Sequence, residues 1–470
     1  MKKHLVNPYL PSWEYIPDGE PHIFGDRVYV YGSHDAFNGW VFCQNDYVCW
    51  SAPVDDLAAW RYEGVIYRKE QDPRNAHGRA CLYAPDVTQG PDGRYYLYYV
   101  LDKENVVSVA VCDTPAGQYE FYGFVHDKDG GLLGERPGDE PQFDPGVLTE
   151  GDKTYMYTGF CWFWNTERHG PMATVLDKDM LTIIEEPVFI APSVPYSAGS
   201  GYEGHEFFEA SSIRKVNGKY YFVYSSIRFC ELCYAVSDHP THGFRYGGVI
   251  VANDDTNIDT YKPAEKPMYF GGNNHGGMVE VNGQWYIFYH RHTNGTAFSR
   301  QGCIEKINIK EDGSIPQVEI TSCASTPLPG AGEWPAHIAC HLVTTKPQAY
   351  PDNARNWSDC LLPKITQDGR DGDEEPGYVF NLKDGALAGY KYFDCKGVKA
   401  ISVTTRGYAR GHVVIKTAWD GEVLGRIGVQ NANVWTTARE EIALPDGLVS
   451  LYIGFEGDGS LSLKSFELHV

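Results

Sequence analysis

The stretch Asn217-Gly218-Lys219-Tyr220-Tyr221-Phe222-Val223-Tyr224 is a tight turn running into an aromatic strand. Asn-Gly next to alternating apolar residues is a strong short-range hairpin signal. The phrase occurs four more times, as Gly25-Asp26-Arg27-Val28-Tyr29-Val30-Tyr31, Asp92-Gly93-Arg94-Tyr95-Tyr96-Leu97-Tyr98-Tyr99, Gly151-Asp152-Lys153-Thr154-Tyr155-Met156-Tyr157 and Asn282-Gly283-Gln284-Trp285-Tyr286-Ile287-Phe288-Tyr289. With one tyrosine of each copy as anchor (Tyr29, Tyr96, Tyr155, Tyr221, Tyr286) the intervals are 67, 59, 66 and 65 residues. A unit of that length holds four strands and their loops. Five such units cannot each bury both sheet faces alone, and radial packing around an axis solves the problem. The predicted fold is therefore all-β: a five-bladed β-propeller over residues 1–315.

Ten to twelve residues before each anchor, at the start of the blade, stand Asp18, Asp86, Asp144, Glu209 and His275. In a propeller the innermost strands line the central channel, so these five positions are predicted to converge at one mouth. A single Asp ahead of a strand is ordinarily a turn or cap residue. Five polar residues kept in phase are not explained by capping, and acids gathered at short range raise one another's pKa. Glu209 follows Phe207-Phe208, an apolar wall that favours the protonated acid, whereas Asp18 lies in the irregular stretch Tyr15-Ile16-Pro17-Asp18-Gly19. Hydrolysis of a glycosidic bond needs one carboxylate base and one protonated carboxylic acid flanking the bond. Asp18 and Glu209 fit that need. His275 reads equally as a hydrogen-bonded structural residue or a ligand, and Asp86 as a structural residue or the lining of a subsite.

The phrases Asn7-Pro8, Pro17-Asp18, Ala84-Pro85-Asp86, Phe143-Asp144-Pro145 and Glu209 together resemble glycoside hydrolase family 43 over residues 5–315. The resemblance implies an inverting, exo-acting enzyme that releases α-L-arabinofuranose or β-D-xylose from plant-type oligosaccharides. It implies Asp18 as general base, Glu209 as general acid, and Asp144 as the residue that tunes the acid, with Asp86 ranked below it. His275 matches a family position that contacts substrate or helps hold a central Ca²⁺; no cofactor is required. A family arginine corresponds to Arg291 or Arg300, and Trp162 is a candidate sugar platform. Ala210-Ser211 after Glu209 departs from the Gly-Pro frequent in xylosidases and moves weight towards arabinofuranosidases. The alternatives are a catalytically silent carbohydrate-binding propeller, a propeller fructosidase with a retaining Asp nucleophile, or a relative acting on another sugar such as galactose.

Beyond the repeats the texture changes. Residues 316–344 include Thr326-Pro327-Leu328-Pro329-Gly330 and read as a linker, and residues 345–470 carry short alternating strands that predict a jelly-roll-like β-sandwich. The ending Leu451-Tyr452-Ile453-Gly454-Phe455-Glu456-Gly457 resembles a family 6 carbohydrate-binding module, with Trp435 and Tyr408 as sugar-stacking candidates.

Composition narrows the partners. The 470 residues contain 40 Lys+Arg against 62 Asp+Glu, a net charge of −22, which repels phosphate backbones and anionic lipid heads. Nucleic acid and membrane are excluded as partners on that ground, and an oligosaccharide is expected; oligomeric state is not readable. The 42% hydrophobic content supplies packed cores. Met1-Lys2-Lys3-His4-Leu5-Val6-Asn7-Pro8 has no apolar signal stretch, so a cytoplasmic location is expected. Twelve cysteines show no zinc spacing beyond Cys230-x-x-Cys233 and are expected as reduced thiols.

Overall fold

Each of the five turn-and-strand phrases forms the first hairpin of an antiparallel blade in the computed structural model, which describes residues 4–347 and 362–470. The first blade is Glu20–Phe24, Arg27–Tyr31, Tyr47–Pro53 and Arg61–Tyr67; the second is Asp86–Gln89, Tyr95–Tyr99, Ser108–Cys112 and Glu120–Phe124. Gly146–Glu150, Lys153–Thr158, Met172–Leu176 and Ile183–Phe189 make the third, and Phe207–Val216, Lys219–Ser226, Glu231–Ser237 and Arg245–Ala252 the fourth. The fifth has three strands, Met278–Val281, Gln284–Arg291 and Gln301–Ile307.

The chain's beginning completes that fifth blade. Tyr9 N donates to Gly302 O at 3.2 Å. The Asn7 amide exchanges two bonds with Ile304, Nδ2 to Ile304 O and Ile304 N to Oδ1, both at 2.8 Å. Asn7 thereby satisfies strand groups that a fourth strand would otherwise pair. A parallel bridge from Gly19 to Gly276 ties the first blade to the fifth beside the channel.

The channel is tight. A Cβ on Gly146 would lie 2.4 Å from Ser211 O, and one on Gly277 would lie 2.3 Å from Glu20 Oε2. Neighbouring innermost strands approach so closely there that only glycine fits. Below the mouth, Arg214 of the fourth blade donates to Glu20 of the first at 2.7 Å and to Met278 O of the fifth at 2.7 Å.

The C-terminal domain is β-rich. Its two longest strands, Ala400–Lys416 and Gly447–His469, pair from Ala400 with His469 to Lys416 with Tyr452. Residues 316–344, expected as a linker, carry paired strands: Gly332–Pro335 pairs with the C-terminal strand and His341–Thr344 with Ala386–Cys395. Their apolar residues Trp334, Ile338 and Leu342 are buried in one core that also contains Ile287 and Tyr289 of the fifth blade, so packing converts a Pro/Gly-rich stretch into part of the domain. A buried polar cluster reinforces this junction, with Lys391 Nζ 2.9 Å from Glu319 and 3.5 Å from Asp255. Among the described residues every cysteine is a free thiol, and no helix is long and apolar enough to cross a membrane.

Candidate active site

The first and fifth blades build one half of the site around Asp18, which sits two residues before the innermost strand with φ 58°. His290, near the end of Gln284–Arg291, donates from Nε2 to Asn273 O at 2.6 Å, which leaves Nδ1 to accept the Asp18 N–H at 3.2 Å. Arg300 presents Nε and Nη2 as a fork to the carboxylate of Asp35, at 2.8 and 3.0 Å, and its backbone N donates to the same group at 3.0 Å. The remaining Nη1 donates to Asp18 Oδ1 at 3.1 Å. A bidentate fork of this kind fixes the guanidinium in direction as well as place. Burial alone would raise Asp18, but the Arg300 guanidinium and the His275 imidazolium outweigh it and hold the carboxyl well below the usual carboxylate range.

The third and fourth blades build the other half. Asp144 has φ 43°, and Ala210, directly after Glu209, has φ 70°. Non-glycine residues in this left-handed region are strained and collect at functional sites. The register of Phe207–Val216 against Lys219–Ser226 slips on both sides of Glu209, an irregularity that re-aims its side chain. Asp144 Oδ2 accepts the Ala210 N–H at 3.1 Å, binding the two acidic segments together. Phe208 packs against Phe160, Trp162 and Phe229 at ring distances of 5.3, 4.8 and 4.9 Å, and Phe143 against Phe160 at 5.1 Å. Glu209 is pushed well above the carboxylate range by burial first, then by the negative charges of Asp144 and Asp18. Asp144 is also raised, by burial and by Asp18 against the opposing pull of His275.

His275 stands between the halves. Its Nδ1 lies 3.7 Å from Asp144 Oδ2 and its Nε2 3.7 Å from Glu20 Oε1. Burial disfavours the imidazolium, but Glu20, Asp144 and Asp18 raise the pKa to about 9. A calcium ion takes about six to eight oxygen ligands. Here Glu20 Oε1 and His275 Nε2 are both buried without a hydrogen-bond partner, but the second is a nitrogen on a protonated ring. The two clusters of ligand-type side chains among the described residues, His205–Glu231–Cys233 and Glu20–His22–Asp86, leave out His275. These residues fit a buried counter-ion better than a calcium ligand set.

Two expected substrate contacts are corrected. Asp86 is fully buried and its carboxylate is saturated: it accepts from Val87 N and Val147 N, both at 2.7 Å, and meets His22 Nε2 at 2.6 Å. It staples three blades together. Arg291 points away from the channel, with Nε 2.9 Å from Cys303 Sγ and Nη2 3.2 Å from Thr321 O, against the C-terminal domain. Alternation along a strand decides this, since His290 faces the channel and its neighbour must face the other way. Arg300 is therefore the arginine of the site. Trp162 is stacked on Trp164 at 4.4 Å and 11° beside Phe208. Trp435 has Arg406 lying 4.2 Å over its ring, which removes an open sugar platform there, while Tyr408 is 78% exposed. Sequence reasoning missed Asp35, His290 and Glu20. His290 was within reach, because the strand phase that turns Arg291 outward turns His290 inward.

A five-bladed propeller whose channel sets one carboxyl pushed down beside another pushed up holds the acid–base pair that a glycoside hydrolase needs. The profile of glycosyl hydrolases family 43 matches residues 17–315. The chain belongs to this family. It is 67% identical to a xylosidase/arabinosidase from Thermoclostridium stercorarium over 100% of this chain and 99% of the relative. It is 30% identical to a xylosidase/arabinosidase from Bacteroides ovatus, over 66% of this chain and 97% of that one. Among solved structures, a family 43 β-xylosidase/α-arabinofuranosidase from a compost metagenome, bound to xylotriose, aligns with 67% of this chain and 98% of its own at 26% identity and TM-score 0.53. A family 43 arabinoxylan arabinofuranohydrolase from Bacillus subtilis aligns with 99% of each chain at 19% identity and TM-score 0.52, a likeness of fold that includes the C-terminal domain.

Proposed function

We propose that this chain is an inverting exo-glycosidase that removes terminal α-L-arabinofuranose or β-D-xylose from oligosaccharides, with Glu209 as acid, Asp18 as base and Asp144 as tuner of the acid. One observation carries the reading: three buried carboxyls share one channel, and their surroundings drive Asp18 down and Glu209 up. The sugar class is supported by the relative named a xylosidase/arabinosidase that matches the whole length.

Glu209, protonated at neutral pH, donates its proton to the glycosidic oxygen as the C1–O bond breaks. A water on the opposite face forms the new C1–O bond and gives its proton to Asp18. The turnover leaves Glu209 one proton short and Asp18 one proton in excess, and proton exchange with solvent restores both. In an inverting enzyme they stand about 6.5–9.5 Å apart, leaving room for that water. Asp144, beside the His275 cation at 3.7 Å, is itself raised to about 7 by burial, and the negative charge it carries when ionised keeps the proton on Glu209 until the transition state. Trp162 lies half-buried beside the Phe208 wall with one face stacked on the exposed Trp164, an aromatic cluster that supports a carbohydrate ligand.

A panel of nitrophenyl glycosides with the product anomer followed by NMR tests this. We expect turnover of the arabinofuranoside and the β-xyloside and a first-formed product of inverted configuration. A retained anomer, or preference for a hexoside, overturns the reading.

A further inference from the structure

We propose that the segment Gln367–Gly377 of the C-terminal domain is a buttress of the catalytic base, with Gln367 and Asp371 as positioning residues. The proposal rests on Asp18 being the base.

The base pocket has two backbones, residues 12–18 leading into Asp18 and the first-blade loop 35–45 that carries Asp35. One short segment of the C-terminal domain, between strands Lys364–Thr366 and Tyr378–Leu382, grips both. Asp371 Oδ1 accepts the Phe37 N–H at 2.6 Å and Oδ2 accepts Asn45 Nδ2 at 3.1 Å, closing the loop across its ends. Asn45 Nδ2 also donates to Asp35 O at 3.2 Å. The buried Gln367 accepts the Tyr15 hydroxyl at 3.2 Å, and Tyr15 O in turn accepts the Asp35 N–H at 3.0 Å. Gly377 N donates to Ser12 Oγ at 2.8 Å, and Ser12 O accepts from Gln301, the neighbour of Arg300, at 2.9 Å.

The relay therefore runs from the C-terminal domain through Asp371 and Gln367 to Asp35, and from the Asp35 fork to the Arg300 Nη1 that touches Asp18. Loosening the loop moves the fork, and the fork places the charge that holds Asp18 ionised. The charged and titratable groups that act on Asp18 are Arg300, His290, His275, His292, Asp144, Glu209, Cys43 and Tyr47; Asp371 itself faces His34 and Tyr15. Arg300 and Asp18 also act on Glu209, but less than burial and Asp144 do, so a disturbed buttress should change the acid limb of the pH profile more than the basic limb.

The experiment uses the full chain with Gln367→Ala, Asp371→Ala, the double variant and Asp371→Asn. It measures kcat/KM for a nitrophenyl pentoside against pH, with thermal midpoints alongside. Each alanine is expected to lower kcat/KM by about fivefold to tenfold and the double by about 10²-fold, the scale of a misplacement near 1 Å. The acid limb should move to higher pH because Asp18 loses part of its cationic support. Asp371→Asn keeps an acceptor for the Phe37 N–H but sets an NH2 against Asn45 Nδ2, so it should recover part of the loss, and it is read in place of the alanines if they do not fold. Unchanged kinetics in folded variants, or a loss with the acid limb unmoved, overturns the proposal. If Asp18→Ala retains turnover while the double variant still shifts the limb, the base assignment falls and the buttress of the base falls with it; if Asp18→Ala abolishes turnover and the double variant leaves the limb unmoved, the base stands and the buttress alone falls.

Discussion

The two halves of the channel place carboxyls of the same chemistry in opposite environments. On the side of the first and fifth blades, Asp18 lies against a guanidinium and an imidazole, and the guanidinium is itself locked by Asp35. On the side of the third and fourth blades, Glu209 lies behind Phe208 with another acid, Asp144, bonded to the next backbone N–H. Both halves are buried, so desolvation acts on each. The difference is the sign of the nearest charge, which outweighs burial at Asp18 and reinforces it at Glu209. Acid and base are thus assigned by neighbours, not by residue type.

The sharpest break of this contrast removes one carboxyl at a time. Asp18→Ala should lower kcat/KM by about 10³- to 10⁴-fold on every substrate. Glu209→Ala should cost about 10²- to 10⁴-fold on natural oligosaccharides and less than about tenfold on a glycoside with a dinitrophenolate leaving group, which departs without a proton. Equal losses on both substrates would dissolve the distinction.

A gentler test changes the neighbours and reads the pH profile. Arg300→Gln removes the cation beside Asp18, so its pKa rises and the acid limb moves to higher pH. Asp144→Asn removes the negative charge beside Glu209, so the acid ionises more easily and the basic limb moves to lower pH. Opposite movements of opposite limbs are the expected signature. Movement in the same direction would mean that one group controls both limbs.

The smallest kinetic effect belongs to Asp86, an acid in the same blade phase that lies in neither half. Asp86→Ala strands two buried N–H groups, each worth about 1–3 kcal/mol, and should lower the thermal midpoint while changing kcat/KM less than about threefold. A large kinetic loss without destabilisation would return Asp86 to the substrate.

The repeat made the propeller legible, since five turn-and-strand phrases admit few other packings, and the blade phase gathered Asp18, Asp144, Glu209 and His275. The same phase misled at Asp86, because sequence position places a residue on an inner strand without saying whether a neighbour's backbone N–H will claim it. Arg291 and Arg300 were not separated until strand alternation was anchored in register. The C-terminal domain was legible as strands but not in extent: Trp334, Ile338 and Leu342 look like linker residues until the fifth blade covers them.

The sequence by itself determined the blade count, the acids and their spacing, because hairpin chemistry and strand periodicity are local. Only the tertiary structure decided which carboxyl keeps its proton, which arginine serves the base, and that segment Gln367–Gly377 reaches the base pocket. Those outcomes depend on partners up to hundreds of residues away, such as the Arg300–Asp18 pair joining the last blade to the first, and no local pattern records such contacts.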